Sequence, residues 1–207
     1  MKLYLSSNRL GNKVDELKKM ILEPKRIAVI TNAKDYAPIE LKSEKLESNF
    51  AELKAIGFDP IEVDLRKYFD QKDKLADDLN NFNGVYVAGG NSFLLLKSFI
   101  QSGFDQVLKE LLLDPSFVYI GYSAGICVLA PDLHGLEIVD DPYVKVEKYS
   151  DEIIWKGLGI LDYLPIPHYK SEEKEISDGN DKVIEYLTKN EIKYVPLKDG
   201  EVIIIKD

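Results

Sequence analysis

Apolar residues along the chain follow two alternating patterns: short runs that are apolar throughout, and longer stretches where they recur every three or four positions. Leu3–Ser6 reads as a strand, and Val14, Leu17 and Ile21 mark one face of a helix. Ile27–Ile30 is a fully apolar strand entered through Pro24. Leu46, Phe50, Leu53 and Ile56 form a helical stripe that stops at Gly57, a natural helix terminator. Pro60–Leu65 alternates as a strand, and Lys72–Leu79 reads as a charged surface helix. Gly84–Ala88 is the next buried strand, closed by Gly89-Gly90-Asn91. Helices over Ser92–Gln101 and Asp105–Leu113 lead to a strand at Phe117–Ile120. Strands apolar on both faces and separated by helices predict a mostly parallel sheet covered on both sides, a three-layer α/β/α sandwich.

Beyond residue 130 the pattern loosens. Asp132–Glu152 carries charges, prolines and tyrosines with no clear period, and reads as loops with room for an edge hairpin. Gly159–Ile166 reads as a strand running into Pro167-His168, and Lys182–Thr188 as a helix. Two short strands, Tyr194–Leu197 and Glu201–Ile205, flank Asp199-Gly200, a pair that signals a hairpin turn. No repeat, low-complexity tract or linker interrupts the chain. Its 207 residues therefore read as one domain, 1–207, able to bury about 70% of its unfolded surface.

The charge balance narrows the partners. A net charge of −9, with basic residues interleaved among acidic ones, argues against nucleic acid or an anionic membrane. No apolar run approaches membrane-spanning length, and Met1–Ser6 has no signal-peptide core. Cys127 is the only cysteine, so no internal disulfide forms and a reducing cytoplasm is the expected setting. Four residues after Ser123, it reads as a small buried hydrophobe.

The candidate chemistry starts at Val118–Gly125, where an apolar strand breaks into Gly121-Tyr122-Ser123-Ala124-Gly125. A serine between glycines, at a sharp turn from strand to helix, projects its hydroxyl above the sheet. The backbone N–H groups that open the helix face any oxyanion formed beside it. Such a hydroxyl needs a base, and the chain offers two histidines. His134 lies in a loop-like stretch, whereas His168 ends a proline-stiffened strand, where parallel sheets gather functional groups, and His168 is the choice. The base needs an acid to fix its tautomer. Asp140 and Asp141 give the order Ser, Asp, His; Asp199 gives Ser, His, Asp. Gly89-Gly90-Asn91 exposes bare backbone at a strand's end, so the Gly90 and Ala124 N–H groups become the expected oxyanion donors. No histidine and carboxylate cluster has zinc-ligand spacing, and no metal or organic cofactor is called for.

Taken together these residues resemble the peptidase E family, which contains the α-aspartyl dipeptidases and, more distantly, the cyanophycinases. The resemblance rests on Ala88-Gly89-Gly90-Asn91-Ser92-Phe93, Tyr119–Gly125, and Leu158–Asp162 leading to Pro167-His168-Tyr169. It implies a fold like that of class I glutamine amidotransferases (flavodoxin-like), with Ser123 as nucleophile and His168 as base. The family's Leu-Pro-Glu-Gly segment aligns with Leu197-Lys198-Asp199-Gly200, which makes Asp199 the favoured acid, one methylene shorter. An aspartate in the loop after the serine has also been proposed for the family, which keeps Asp140 and Asp141 as alternatives. The arginine that holds an acidic substrate side chain in the aspartyl dipeptidases has no counterpart. Between His168 and Asp199 the cations are Lys170, Lys174, Lys182, Lys189 and Lys193, and lysine does not reproduce a bidentate fork.

The expected activity is a cytoplasmic serine peptidase, monomer or homodimer, that hydrolyses dipeptides or short peptides through an acyl-enzyme. Two other readings share the scaffold: a hydrolase of a non-peptide ester or amide, and a member that binds a small molecule without turnover. A glutamine amidotransferase would carry cysteine at the position of Ser123.

Overall fold

The computed structural model describes residues 1–206. In chain order the elements are β1 (Lys2–Ser6), α1 (Val14–Met20), β2 (Arg26–Ile30), α2 (Ile39–Ala55), β3 (Asp59–Glu62), α3 (Lys72–Leu79) and β4 (Gly84–Val87). There follow α4 (Ser92–Ser102), α5 (Phe104–Leu111), β5 (Val118–Tyr122), α6 (Ala124–Cys127), β6 (Leu164–Ile166), α7 (Lys174–Lys189), β7 (Tyr194–Pro196) and β8 (Val202–Lys206).

Six strands form the central sheet in the order β3-β2-β4-β5-β1-β8, parallel except for β8, which runs antiparallel to β1. Side chains alternate across it. Ala28, Ile30, Val85, Val87 and Tyr119 face a large core shared with residues of α3, α4, α5, α6 and α7. Ile27, Val29, Tyr86 and Ile120 face a smaller one against Leu17, Met20 and Leu53 of α1 and α2. Both faces are thus covered, and the three-layer α/β/α sandwich that the apolar runs predict is the observed architecture. No helix among the described residues is long and apolar enough to cross a membrane.

Several local expectations are corrected. The strands around Asp199-Gly200 do not form a hairpin: β7 pairs parallel with β6 in a separate two-stranded sheet, while β8 joins the central sheet. The turn instead carries the chain from one sheet to the other. The strand expected over 159–166 is confined to Leu164–Ile166, because Leu158 to Leu161 fold back to bond the carbonyls of Val128, Leu129 and Ala130. The loop over 132–152 holds a 3-10 turn at Leu136–Ile138 and no hairpin. Helix α7 begins at Lys174, eight residues before the expected start, because Asn180 occupies a buried place on its inner face and breaks the apolar stripe.

What matters for function is where the strands end. In the parallel sheet β4, β5 and β1 are neighbours, so their carboxyl ends lie side by side. Those ends lead directly into Gly89-Gly90, Ser123 and Ser7. The carboxyl end of β6 leads to His168, and Asp199 follows β7. Ligand crevices of open α/β sheets form at this edge.

Candidate active site

Ser123 has φ 52° and ψ −121°, a conformation that non-glycine residues avoid. The strain is imposed by close packing around the turn. A β-carbon on Gly125 would lie 2.4 Å from the Val87 carbonyl oxygen, and one on Gly89 would lie 2.7 Å from the Ser123 β-carbon. Adjacent strand ends therefore approach until only glycine fits, and the serine is held with its hydroxyl above the sheet. The Tyr119 hydroxyl donates to the Gly125 carbonyl from beneath, and the N–H groups of Ile126 and Cys127 bond the Ser123 carbonyl.

The structure brings Ser123, His168 and Asp199 into one hydrogen-bonded series. His168 Nε2 is 3.1 Å from Ser123 Oγ, and His168 Nδ1 is 2.7 Å from Asp199 Oδ1. An ionised carboxylate only accepts, so Nδ1–H donates its hydrogen bond to Asp199, and in the neutral ring the Nε2 lone pair then faces the serine. That tautomer is the one able to take the hydroxyl proton. Neither alternative acid meets the imidazole. Asp140 Oδ2 accepts the Ser92 N–H at 2.8 Å, and Asp141 Oδ1 accepts the Tyr143 N–H at 2.9 Å. The other histidine, His134, is paired with Asp132 and stacked on Trp155 at 4.3 Å.

Gly90 and Ala124 both line the cleft with Ser123. Among the described residues no hydrogen bond engages the N–H of either, so both are available to an oxyanion. Gly90 has φ 151° and packs on Ala33, whose carbonyl accepts the next N–H, that of Asn91, at 2.9 Å. Asn91, grouped by sequence with the substrate-binding residues, has its side chain engaged elsewhere. Its Oδ1 caps α4 through Leu94 N–H, and its Nδ2 donates to the Asp141 carbonyl. Asn91 does not line the cleft.

Two supporting residues carry no signal in the sequence. Ser7, fully buried, accepts the His168 backbone N–H at 2.7 Å and lies 3.0 Å from Asp199 Oδ1 and 3.2 Å from the Leu197 carbonyl. Its single proton serves one of those two acceptors at a time. His168 has φ 59°, so this bond holds a strained backbone as well as the acid. Asn180 of α7 donates to the Pro167 carbonyl at 2.9 Å, fixing the same segment from the other side. Further out, a network of Asn32, Asp35, Asp64, Arg66, Lys42 and Tyr149 secures the 3-10 turn that includes Ala33. Burial alone would raise the Asp64 carboxyl, but hydrogen bonds from Arg66 and Asn32 outweigh it and hold that group well below the usual carboxylate range.

The cleft encloses about 880 Å³, enough for a molecule of several hundred daltons. One wall is apolar, and Lys174, Lys182, Glu175 and Asp178 ring it with mixed charge. Cys127 also lines the cleft, and burial pushes its thiol well above the ordinary range, which disfavours the thiolate. Among the described residues no group of three or more His, Cys, Asp or Glu side chains could hold a metal ion.

The model of Peptidase family S51 matches residues 7–207. An uncharacterized peptidase of Listeria innocua is 28% identical over 163 residues, covering 78% of this chain and 73% of that protein. Peptidase E of Streptomyces coelicolor is 28% identical over 147 residues, covering 67% and 54%. A crystal structure of a candidate peptidase E from Listeria monocytogenes superposes with a TM-score of 0.74 at 22% identity, covering 100% of this chain and 98% of that one. A peptidase from an acI-B1 Actinobacterium gives 0.72 at 16%, covering 99% and 83%.

Proposed function

We propose that this chain, which belongs to peptidase family S51 and is a serine peptidase, hydrolyses dipeptides or other short peptides through an acyl-enzyme on Ser123. The observation that supports this reading is the series from Ser123 Oγ through both ring nitrogens of His168 to Asp199, opening on a cleft with two free backbone donors.

In this reading Ser123 Oγ attacks the scissile carbonyl carbon while His168 Nε2 takes its proton. Asp199 holds the ring and stabilises the imidazolium that forms. The Gly90 and Ala124 N–H groups receive the oxyanion, each worth about 100-fold or more in rate. His168 returns the proton to the departing amine, leaving the acyl group on Ser123. Water, deprotonated by the same nitrogen, then releases the acid and restores the hydroxyl.

Residues 1–207 act as one catalytic domain, in the cytoplasm, as a monomer or homodimer, with a short peptide as the partner and no nucleic acid. The test is mass spectrometry of a dipeptide panel (Asp-Leu, Glu-Leu, Leu-Leu and Lys-Leu) incubated with the protein and with Ser123→Ala. Cleavage that disappears in the variant is the expected result. A panel left intact by the unmodified protein would overturn the dipeptidase reading.

A further inference from the structure

Asp140 lines the same cleft as Ser123, yet the relay through His168 does not use it. Its position is fixed from several directions. Its N–H bonds the Leu136 carbonyl at 2.8 Å, its Oδ2 accepts the Ser92 N–H, and the next carbonyl, that of Asp141, is held by Asn91. No lysine or arginine among the described residues forms an ion pair with it. Lys34 is close enough to feel its charge but makes no salt bridge with it. Burial pushes its carboxyl above the usual range, as expected for an anion without a cationic partner. The protein therefore keeps a rigidly held acid, bonded by Ser92 but without a salt bridge, inside the cleft.

Its location says what cation would reach it. Ser92 is two residues on from Gly90, a span of at most about 7 Å. Asp140 Oδ2 lies 2.8 Å from the Ser92 nitrogen, so the Asp140 carboxyl is anchored within about 10 Å of the backbone that faces the oxyanion. In a peptide cleaved after its first residue, the α-ammonium nitrogen is two bonds from the scissile carbonyl carbon. The wall beside Asp140 is made by Leu136, Ile138, Val139, Ile166, Pro167 and Ile176. Ile138, Val139 and Ile176 remain 39, 43 and 36% exposed, apolar surface with nothing covering it in the free protein. A carboxylate with an apolar wall suits a free amino terminus carrying an apolar side chain, and is a poor match for an acidic one.

We propose that Asp140 binds the α-ammonium of the substrate's first residue and that the apolar wall receives that residue's side chain. The substrates are then short peptides with a free amino terminus and an apolar first residue. This rests on the peptidase reading above and deepens it.

Calorimetry on the Ser123→Ala protein tests it without turnover. Leu-Leu is expected to bind at least about tenfold more tightly than N-acetyl-Leu-Leu or Asp-Leu. Adding Asp140→Asn removes the difference between free and acetylated peptide, and Asp140→Glu restores part of it. Equal affinity for Leu-Leu and N-acetyl-Leu-Leu, or no binding of Leu-Leu, overturns the proposal, with Asp140 intact in either case. Turnover separates the two claims. Ser123-dependent hydrolysis of N-acetyl-Leu-Leu as fast as Leu-Leu refutes ammonium recognition while the peptidase reading stands. Failure to cleave any peptide refutes that reading, and the binding arm still decides the role of Asp140.

Discussion

Replacing Ser7 with alanine removes the one hydroxyl that touches both the proposed base and its acid. The site is fully buried, so no water takes its place. The His168 backbone N–H then loses its 2.7 Å acceptor, a loss of about 1–3 kcal/mol for a buried donor. Asp199 also loses a hydrogen bond, but its side chain is 42% exposed, so solvent replaces most of that contribution and the orphaned N–H dominates. A total of about 1–3 kcal/mol follows. For 207 residues the unfolding entropy is about 0.4 kcal/mol/K, which converts the loss into a Tm lower by about 2–7 °C. Catalysis suffers separately, because the strained His168 backbone is no longer clamped and a shift approaching 1 Å lowers kcat by roughly 100-fold. KM stays near its original value, since Ser7 does not line the cleft. Differential scanning calorimetry with steady-state kinetics on the best dipeptide reads both quantities. A Ser7→Ala protein with unaltered Tm and kcat would refute the reasoning.

Three other expectations follow from the same geometry. Gly125→Ala drives a β-carbon to 2.4 Å from the Val87 oxygen, so β4 and the Gly89-Gly90 turn after it must shift by about 1 Å. The variant is expected to lose about 1–3 kcal/mol and at least about 100-fold in kcat, and normal kinetics would show that the turn tolerates a side chain. Ser123→Gly and Ser123→Ala both lack the hydroxyl, so their difference isolates backbone strain: glycine is expected to melt about 2 °C higher, from about 1–3 kcal/mol of relieved strain less about 0.5–1 kcal/mol of chain entropy. An alanine variant as stable as the glycine one would remove strain from the account. Asp64 has a depressed carboxyl pKa, so its stabilisation is present above the unfolded value of about 3.9 and is lost as pH falls through the folded one. Asp64→Asn should therefore lower Tm at pH 7, with the gap closing below about pH 4, and a gap unchanged down to pH 3 would contradict the sign.

Much of this was legible because it is local. Ile27–Ile30 and Gly84–Val87 are apolar at every position and could only be covered strands, and Gly121-Tyr122-Ser123-Ala124-Gly125 carries its turn within five residues. The hairpin reading at Asp199-Gly200 failed for a non-local reason. A dipeptide signals a turn but not which strands it joins, and β8 finds its partner in β1, nearly the whole chain away. Ser7 was invisible for the same reason, since its partners His168 and Asp199 lie 161 and 192 positions on. The early part of α7 was hidden by Asn180, a polar residue on an inward face whose use, bonding the Pro167 carbonyl, appears only in three dimensions. Asp140 was legible as an acid near the site, and its partner Ser92 was not.

The pairing of β8 with β1 also sets a timetable. Asp199 is presented by a turn whose far side is β8, and the Gly200 carbonyl accepts the Asn12 N–H just beyond β1. The relay is therefore assembled only after two segments almost two hundred residues apart have met, the slowest kind of contact for a chain to make. Ser123 and its turn, built from the neighbouring strands β4 and β5, can form long before. A refolding chain should recover its helices first and its turnover last, and a warming one should lose turnover while its core still holds.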